Sequence, residues 1–158
     1  MKTTNRSGHY YTNQLWFSEA YQELTLSARD LLQMLICELR YSYGKTKDGK
    51  QKVWTNNGQV SCTEAQYRKR TDKCSGTYLK ARNQLITFGF IKQTHRGGMG
   101  AGSRAKYEVL VSANGVTASN ERWREYPEKN WENEIPKAKK QLVGVYTRWK
   151  KGECGRKL

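Results

Sequence analysis

Between residues 63 and 106 the chain carries 10 basic side chains and only two carboxylates, Glu64 and Asp72, a local net charge of +8. The whole chain of 158 residues is +15, so more than half of the excess lies in this one stretch. Residues 1–62 contribute +3, residues 107–120 contribute −1 and residues 121–158 contribute +5. A solvated surface would not require that concentration. Clustered cations of this density attract polyanions, nucleic acid first and an acidic membrane surface second.

Other chemistry finds little support. Cys37, Cys62, Cys74 and Cys154 are spaced by 25, 12 and 80 residues with no C-x-x-C pair, and His9 and His95 are far from any paired cysteines. That spacing does not suit structural zinc, and buried or indifferent thiols in a reducing cytoplasm are expected. There is no G-x-S-x-G, P-loop or H-E-x-x-H motif and no paired acidic cluster, so no enzyme and no cofactor is expected. The run Gly97-Gly98-Met99-Gly100-Ala101-Gly102 contains G-x-G, but it connects two predicted strands, whereas a dinucleotide loop must lead into a helix. No apolar run approaches the ~20 residues that span a bilayer, and the polar start, Met1 to Tyr11, has no apolar core of a secretory signal.

The elements that would position these cations can be read from periodicity and punctuation. Residues 1–14 are polar and aperiodic, the pattern of a flexible N-terminal arm. Ser18 caps a short helix bearing Ala20, Tyr21 and Leu24. Ser27, with Asp30 as capping partner, opens a helix over Ala28 to Tyr43 whose stripe is Leu31, Leu32, Leu35, Ile36 and Leu39, closed by Gly44. Lys45 to Lys52 reads as a polar loop. Asn56-Asn57-Gly58 is a turn between Val53-Trp54 and Gln59-Val60. Thr63 to Thr71 forms a short helix, broken over Asp72 to Ser75. Gly76 to Phe88 forms a second, on which Tyr78, Ala81, Arg82, Leu85 and Ile86 repeat at helical spacing, with Gly89 as its stop. Phe90 to Thr94 and Ala105 to Val111 pair as a hairpin around the glycine-rich tip. Residues 112–136 read as an extended segment, and Pro136 opens a last helix with Leu142, Val143, Tyr146 and Trp149 on one face.

Helix, tight turn, helix, glycine stop, strand, glycine tip, strand is the order from 63 to 111. Over Thr77 to Ile91, with Tyr78, Ala81, Leu85, Gly89, Phe90 and Ile91 at the diagnostic spacings, the chain resembles the winged helix-turn-helix family, above all the small winged-helix proteins of phages and plasmids. The resemblance covers roughly residues 27–111. It implies an α+β fold: a winged helix-turn-helix domain over 15–111 with a two-stranded β wing, and an aromatic, basic C-terminal extension over 112–158. It implies binding of double-stranded DNA in the cytoplasm, nucleoid or host cytoplasm, as a transcriptional regulator or a replication-initiation factor of a mobile element. The second helix would enter the major groove by its N-terminal part. Ser75, Thr77, Leu79, Lys80, Asn83 and Gln84 are then the candidates for base contacts, and Arg68, Lys69, Arg70 and Lys73 for phosphate contacts. Arg96, Arg104 and Lys106 flank the wing tip and suit a minor groove or backbone.

Two other classes of partner compete. The domain could be a protein-interaction module for an acidic host protein, with Trp123, Trp131, Tyr146 and Trp149 forming a partner or homodimer surface, unless they pack back on the domain. Exposed Tyr and Trp also suit RNA or single-stranded nucleic acid. No membrane partner is expected. A salt series separates these readings. With six to eight cations on phosphates, log K for duplex DNA falls against log salt with a slope of roughly −5 to −7, whereas a flat slope in an anisotropy titration would exclude a phosphate-led interface.

Overall fold

The computed structural model describes residues 10–137 except 48, 99 and 101. Among them the fold is mixed α and β, with five α-helices and two small antiparallel two-stranded sheets. The order is α1 (Asn13–Trp16), α2 (Glu19–Gln22), α3 (Leu26–Cys37), β1 (Tyr41–Thr46), β2 (Gly49–Trp54), α4 (Glu64–Thr71), α5 (Ser75–Thr87), β3 (Ile91–His95) and β4 (Lys106–Val109). Two 3-10 turns follow, Arg122–Glu125 and Glu132–Glu134.

Helix starts are set by side-chain oxygens. Thr12, Ser18, Thr25 and Thr63 each accept the amide three residues on at 3.2 Å, satisfying a donor that the helix leaves unpaired. Thr63 and Gln66 complete a reciprocal capping box. The Arg29 guanidinium donates to the carbonyls of Tyr21 and Gln22 at 3.0 Å and so closes the end of α2.

Several expected boundaries move. α3 is capped by Thr25 rather than Ser27, and it ends at Cys37 instead of running to Tyr43. The cause of the early end is Asn56, whose amide donates to the Glu38 carbonyl at 2.8 Å while its carbonyl accepts from the Arg40 amide at 2.7 Å. The chain beyond that clamp is a strand. Tyr41, Tyr43 and Lys45 pair with Trp54, Lys52 and Lys50, so the expected loop over 45–52 is most of a hairpin, and Gly44 lies within β1 opposite Gln51. The expected arm over 1–14 also ends sooner. Tyr10 exchanges hydrogen bonds with Asn114, Tyr11 bridges to Ala113 and donates its hydroxyl to Gln33, and Asn13 opens α1.

The core gathers the inward stripe of α3 (Ala28, Leu31, Leu32, Leu35, Ile36), the inner face of α5 (Tyr78, Ala81, Leu85, Ile86) and Phe90, Ile91, Tyr107 and Val109 from the β3–β4 hairpin. Tyr67 projects inward from α4 and donates to the Ser27 carbonyl at 3.2 Å; Tyr78 donates to the Cys62 carbonyl at 2.7 Å. Val60 accepts the Tyr107 amide at 2.9 Å, which adds a single-residue bridge to the hairpin. The return strand is shorter than Ala105–Val111: after Val109 the Leu110 amide turns to the Phe90 carbonyl, and both Leu110 and Val111 are buried.

Residues 112–137 are not a loose extended segment. Trp123 is buried and its ring lies parallel to Phe90, and Tyr126 meets Phe88 at a centroid distance of 4.2 Å. The Trp131 amide donates to the Thr87 carbonyl at 3.1 Å, and Arg122 pairs with Glu134 at 2.8 Å. Trp123 is therefore unavailable as a partner surface. Trp131 is half-buried for the same reason. Pro136 sits in irregular chain, and the predicted helix with Leu142, Val143, Tyr146 and Trp149 lies outside the described residues.

Gly89 joins these layers. Its φ is +79°, and a Cβ there would stand 2.7 Å from Arg122 Cβ and 2.8 Å from the Trp131 ring. Gly89→Ala combines left-handed strain with overpacking and is expected to cost about 3 kcal/mol in urea denaturation. A cost below about 1 kcal/mol would mean that the C-terminal segment does not pack there.

Candidate nucleic-acid interface

α4 and α5 meet at a three-residue turn. Asp72 ends α4 in the left-handed conformation at φ 53°, with its amide on the Arg68 carbonyl at 2.8 Å. An acidic or amide side chain tolerates that conformation better than other non-glycine residues. Ala81 is 1 % exposed, and its small side chain lets α5 approach α3 closely. These two features present the side of α5 opposite its buried stripe.

That side carries no carboxylate anywhere from Ser75 to Thr87. Leu79 is 44 % exposed and Lys80 is exposed beside it, whereas Ser75 and Thr77 are half-buried in the first turn. Cys74 is the N-cap, without a side-chain cap hydrogen bond, and its thiol sits 3.3 Å from the Thr77 hydroxyl. That hydrogen bond, helped by backbone amides at the helix start, holds the thiol below its ordinary range. Burial instead pushes the Cys62 thiol up, to about 11. No disulfide joins Cys37, Cys62 and Cys74.

Two of the predicted base-reading residues have other work. Gln84 accepts from the Thr25 amide at 3.1 Å and the Thr25 hydroxyl at 2.9 Å, and donates to the Glu23 carbonyl at 3.3 Å. Its carboxamide ties α5 to the α2–α3 turn and so is not turned outward to meet a base. The Asn83 oxygen accepts two bonds from Arg82, at 3.2 and 3.0 Å. Arg82 itself lines a hollow of about 290 Å³ with Leu79, Gln93, Arg96, Pro136 and Lys137. The hollow puts the outer side of α5 and the root of the β3–β4 hairpin in one surface. Gln93 and Lys137 join it through tertiary packing alone, and periodicity along the chain gave no sign of either.

The predicted phosphate contacts divide in a similar way. Lys69 and Arg70 on α4 and Arg104 beside the glycine tip are exposed and have no ion pair among the described residues. Arg68 lies 3.9 Å from Glu64 across one helical turn, an exposed pair of little energetic weight. Lys73 is held by Asp30 at 2.9 Å, and that hydrogen bond raises its pKa. Arg68 and Lys73 border a second open hollow, of about 470 Å³, with Ala65, Asp72 and Cys74. On the hairpin, Lys106 donates to Gln59 at 2.6 Å and Arg96 to the Lys137 carbonyl. Among the described residues no group of His, Cys, Asp and Glu could hold a metal ion, and no helix is long and apolar enough to cross a membrane.

Comparison with protein-family models, curated proteins and solved structures found no match. The reading of this surface therefore rests on its own residues. Gln84 supplies a direct check. Gln84→Ala is expected to lower stability by about 1 kcal/mol, through loss of its three hydrogen bonds to the exposed α2–α3 turn, while leaving duplex affinity within twofold. A variant of unchanged stability and strongly reduced duplex affinity would return Gln84 to the list of base contacts.

Proposed function

We propose that this chain is a winged helix-turn-helix protein that binds double-stranded DNA through α5, as a transcriptional regulator or a replication-initiation factor of a phage or other mobile element. The observation that carries the proposal is the outer side of α5, acid-free and cationic, which shares a hollow with the root of a basic hairpin. The order α3, Val60 bridge, α4, α5, β3, β4 supports a winged-helix reading, since the bridge supplies the third strand that such a wing pairs with.

In this reading the first half of α5 lies in the major groove, where Lys80 can donate to a guanine edge and Leu79 can meet a thymine methyl. Ser75 and Thr77 sit at the helix start, where amides and hydroxyls suit a phosphate. Arg68, Lys69 and Arg70 on α4 hold one stretch of backbone. Arg96, Arg104 and Lys106 place the hairpin against another stretch of backbone or in a minor groove. Lys73 exchanges its Asp30 partner for a phosphate at small cost, because the pair is solvent-exposed.

The test is fluorescence anisotropy on a labelled duplex, with Lys80→Ala beside wild type and Lys129→Ala as a remote charge control. Lys80→Ala is expected to bind roughly five- to tenfold more weakly and the control to change little. Equal affinity for all three proteins would overturn groove reading by α5. Binding that is insensitive to salt as well would redirect the search to a protein partner.

A further inference from the structure

Apart from Trp54 at its root, the hairpin of β1 and β2 contributes no residue to the core described above or to the proposed duplex-binding surface. Its root is fixed: Asn56 clamps Glu38 and Arg40, the Thr55 amide donates to the Arg40 carbonyl at 2.9 Å, and Trp54 packs against the core. Beyond that root, among the described residues, the two strands pair only with each other. A two-stranded ribbon of this kind is marginally stable in water by itself.

Register puts Tyr41, Tyr43 and Lys45 on one face with Trp54, Lys52 and Lys50. The other face carries no charge and no aromatic ring, with Ser42, Gly44, Gly49, Gln51 and Val53. Tyr41 is 49 % exposed and Tyr43 is 59 % exposed, with ring centroids 5.9 Å apart. Lys52 Nζ lies 4.9 Å from the Tyr41 ring centroid and 5.9 Å from that of Tyr43. Lys45 and Lys50 stand directly across the ladder, where like charges destabilise the pair. Residues 41–54 hold four lysines and a single acid, Asp48.

Lysines on a free strand edge also guard against aggregation, and that explains their charge. It does not explain two large aromatic rings kept in water on the same face. A polyanion relieves the Lys45–Lys50 repulsion, and unpaired bases cover the tyrosine rings. A duplex groove shows base edges rather than base faces, so its bases offer no stacking partner to the two tyrosine rings. We propose that the β1–β2 ribbon binds single-stranded nucleic acid, with Tyr41 and Tyr43 stacking on unpaired bases and Lys45, Lys50 and Lys52 holding the backbone.

This site stands on residues apart from α5 and does not require the duplex reading. The full chain is titrated against a labelled 20-base oligothymidylate, which cannot self-pair, and against a 20-base-pair duplex. Tyr41→Ala with Tyr43→Ala is expected to weaken the oligothymidylate complex at least tenfold and leave the duplex complex within twofold. Tyr41→Phe with Tyr43→Phe keeps the rings and is expected to bind like wild type. Lys50→Gln with Lys52→Gln leaves the tyrosines intact and flattens the single-strand salt slope by about 1.4. That second arm decides the matter if the alanine pair fails to fold. The proposal is overturned if wild type does not bind the oligothymidylate, if folded alanine variants bind it unchanged, or if duplex affinity falls equally. It is overturned too if the lysine variant keeps the wild-type slope. Lys80→Ala, which should affect the duplex alone, keeps failure of the α5 reading separate from failure of this one.

Discussion

Gly89 is the point on which the rest of the architecture turns. It ends α5, sends the chain into β3, and leaves space for Arg122 and Trp131 to lie directly on its α-carbon. A left-handed residue without a side chain satisfies all three demands at once. With any other residue either the helix end or the overlying segment must shift, and both position the outer side of α5. The C-terminal wrap is part of the same arrangement. Trp123 on Phe90 and Tyr126 on Phe88 cover apolar surface that the hairpin alone would leave wet.

Side-chain carboxamides do much of the joining between elements. Asn56 halts α3, Gln84 holds the α2–α3 turn to α5, and Asn57 donates to the Val109 carbonyl at 2.9 Å and accepts from the Val109 amide at 2.8 Å. A carboxamide donates and accepts at one end, so it can stand in for a missing strand partner. The same property makes Asn and Gln suited to reading adenine. Residue type by itself therefore could not tell a base-reading Gln84 from a bracing one.

Charge and fold are organised separately. The core of the described residues is aliphatic and aromatic, while the cations lie on α4, on the outer side of α5, at the hairpin and along the β1–β2 ribbon. Exposed cations contribute little to stability but are screened by salt and steer polyanions. Their clustering bears on association rather than on folding.

Local chemistry made part of this legible in the sequence. The Ser18 and Thr63 caps, the inner stripe Tyr78, Ala81, Leu85, the Gly89 stop and the concentration of charge over 63–106 all depend on neighbours a few residues away. Nearest-neighbour hydrogen bonds and helical spacing are sufficient to set them. The end of α3, the role of Gln84, the burial of Trp123 and the exposed face of the ribbon depend on partners much farther along the chain. Asn56 acts on Glu38 across 18 residues and Gln84 on Thr25 across 59. A stripe such as Leu35, Ile36, Leu39 continues at helical spacing to Tyr43 until a distant side chain captures the backbone polar groups. Periodicity cannot register that capture, because only the folded chain brings the captor into place.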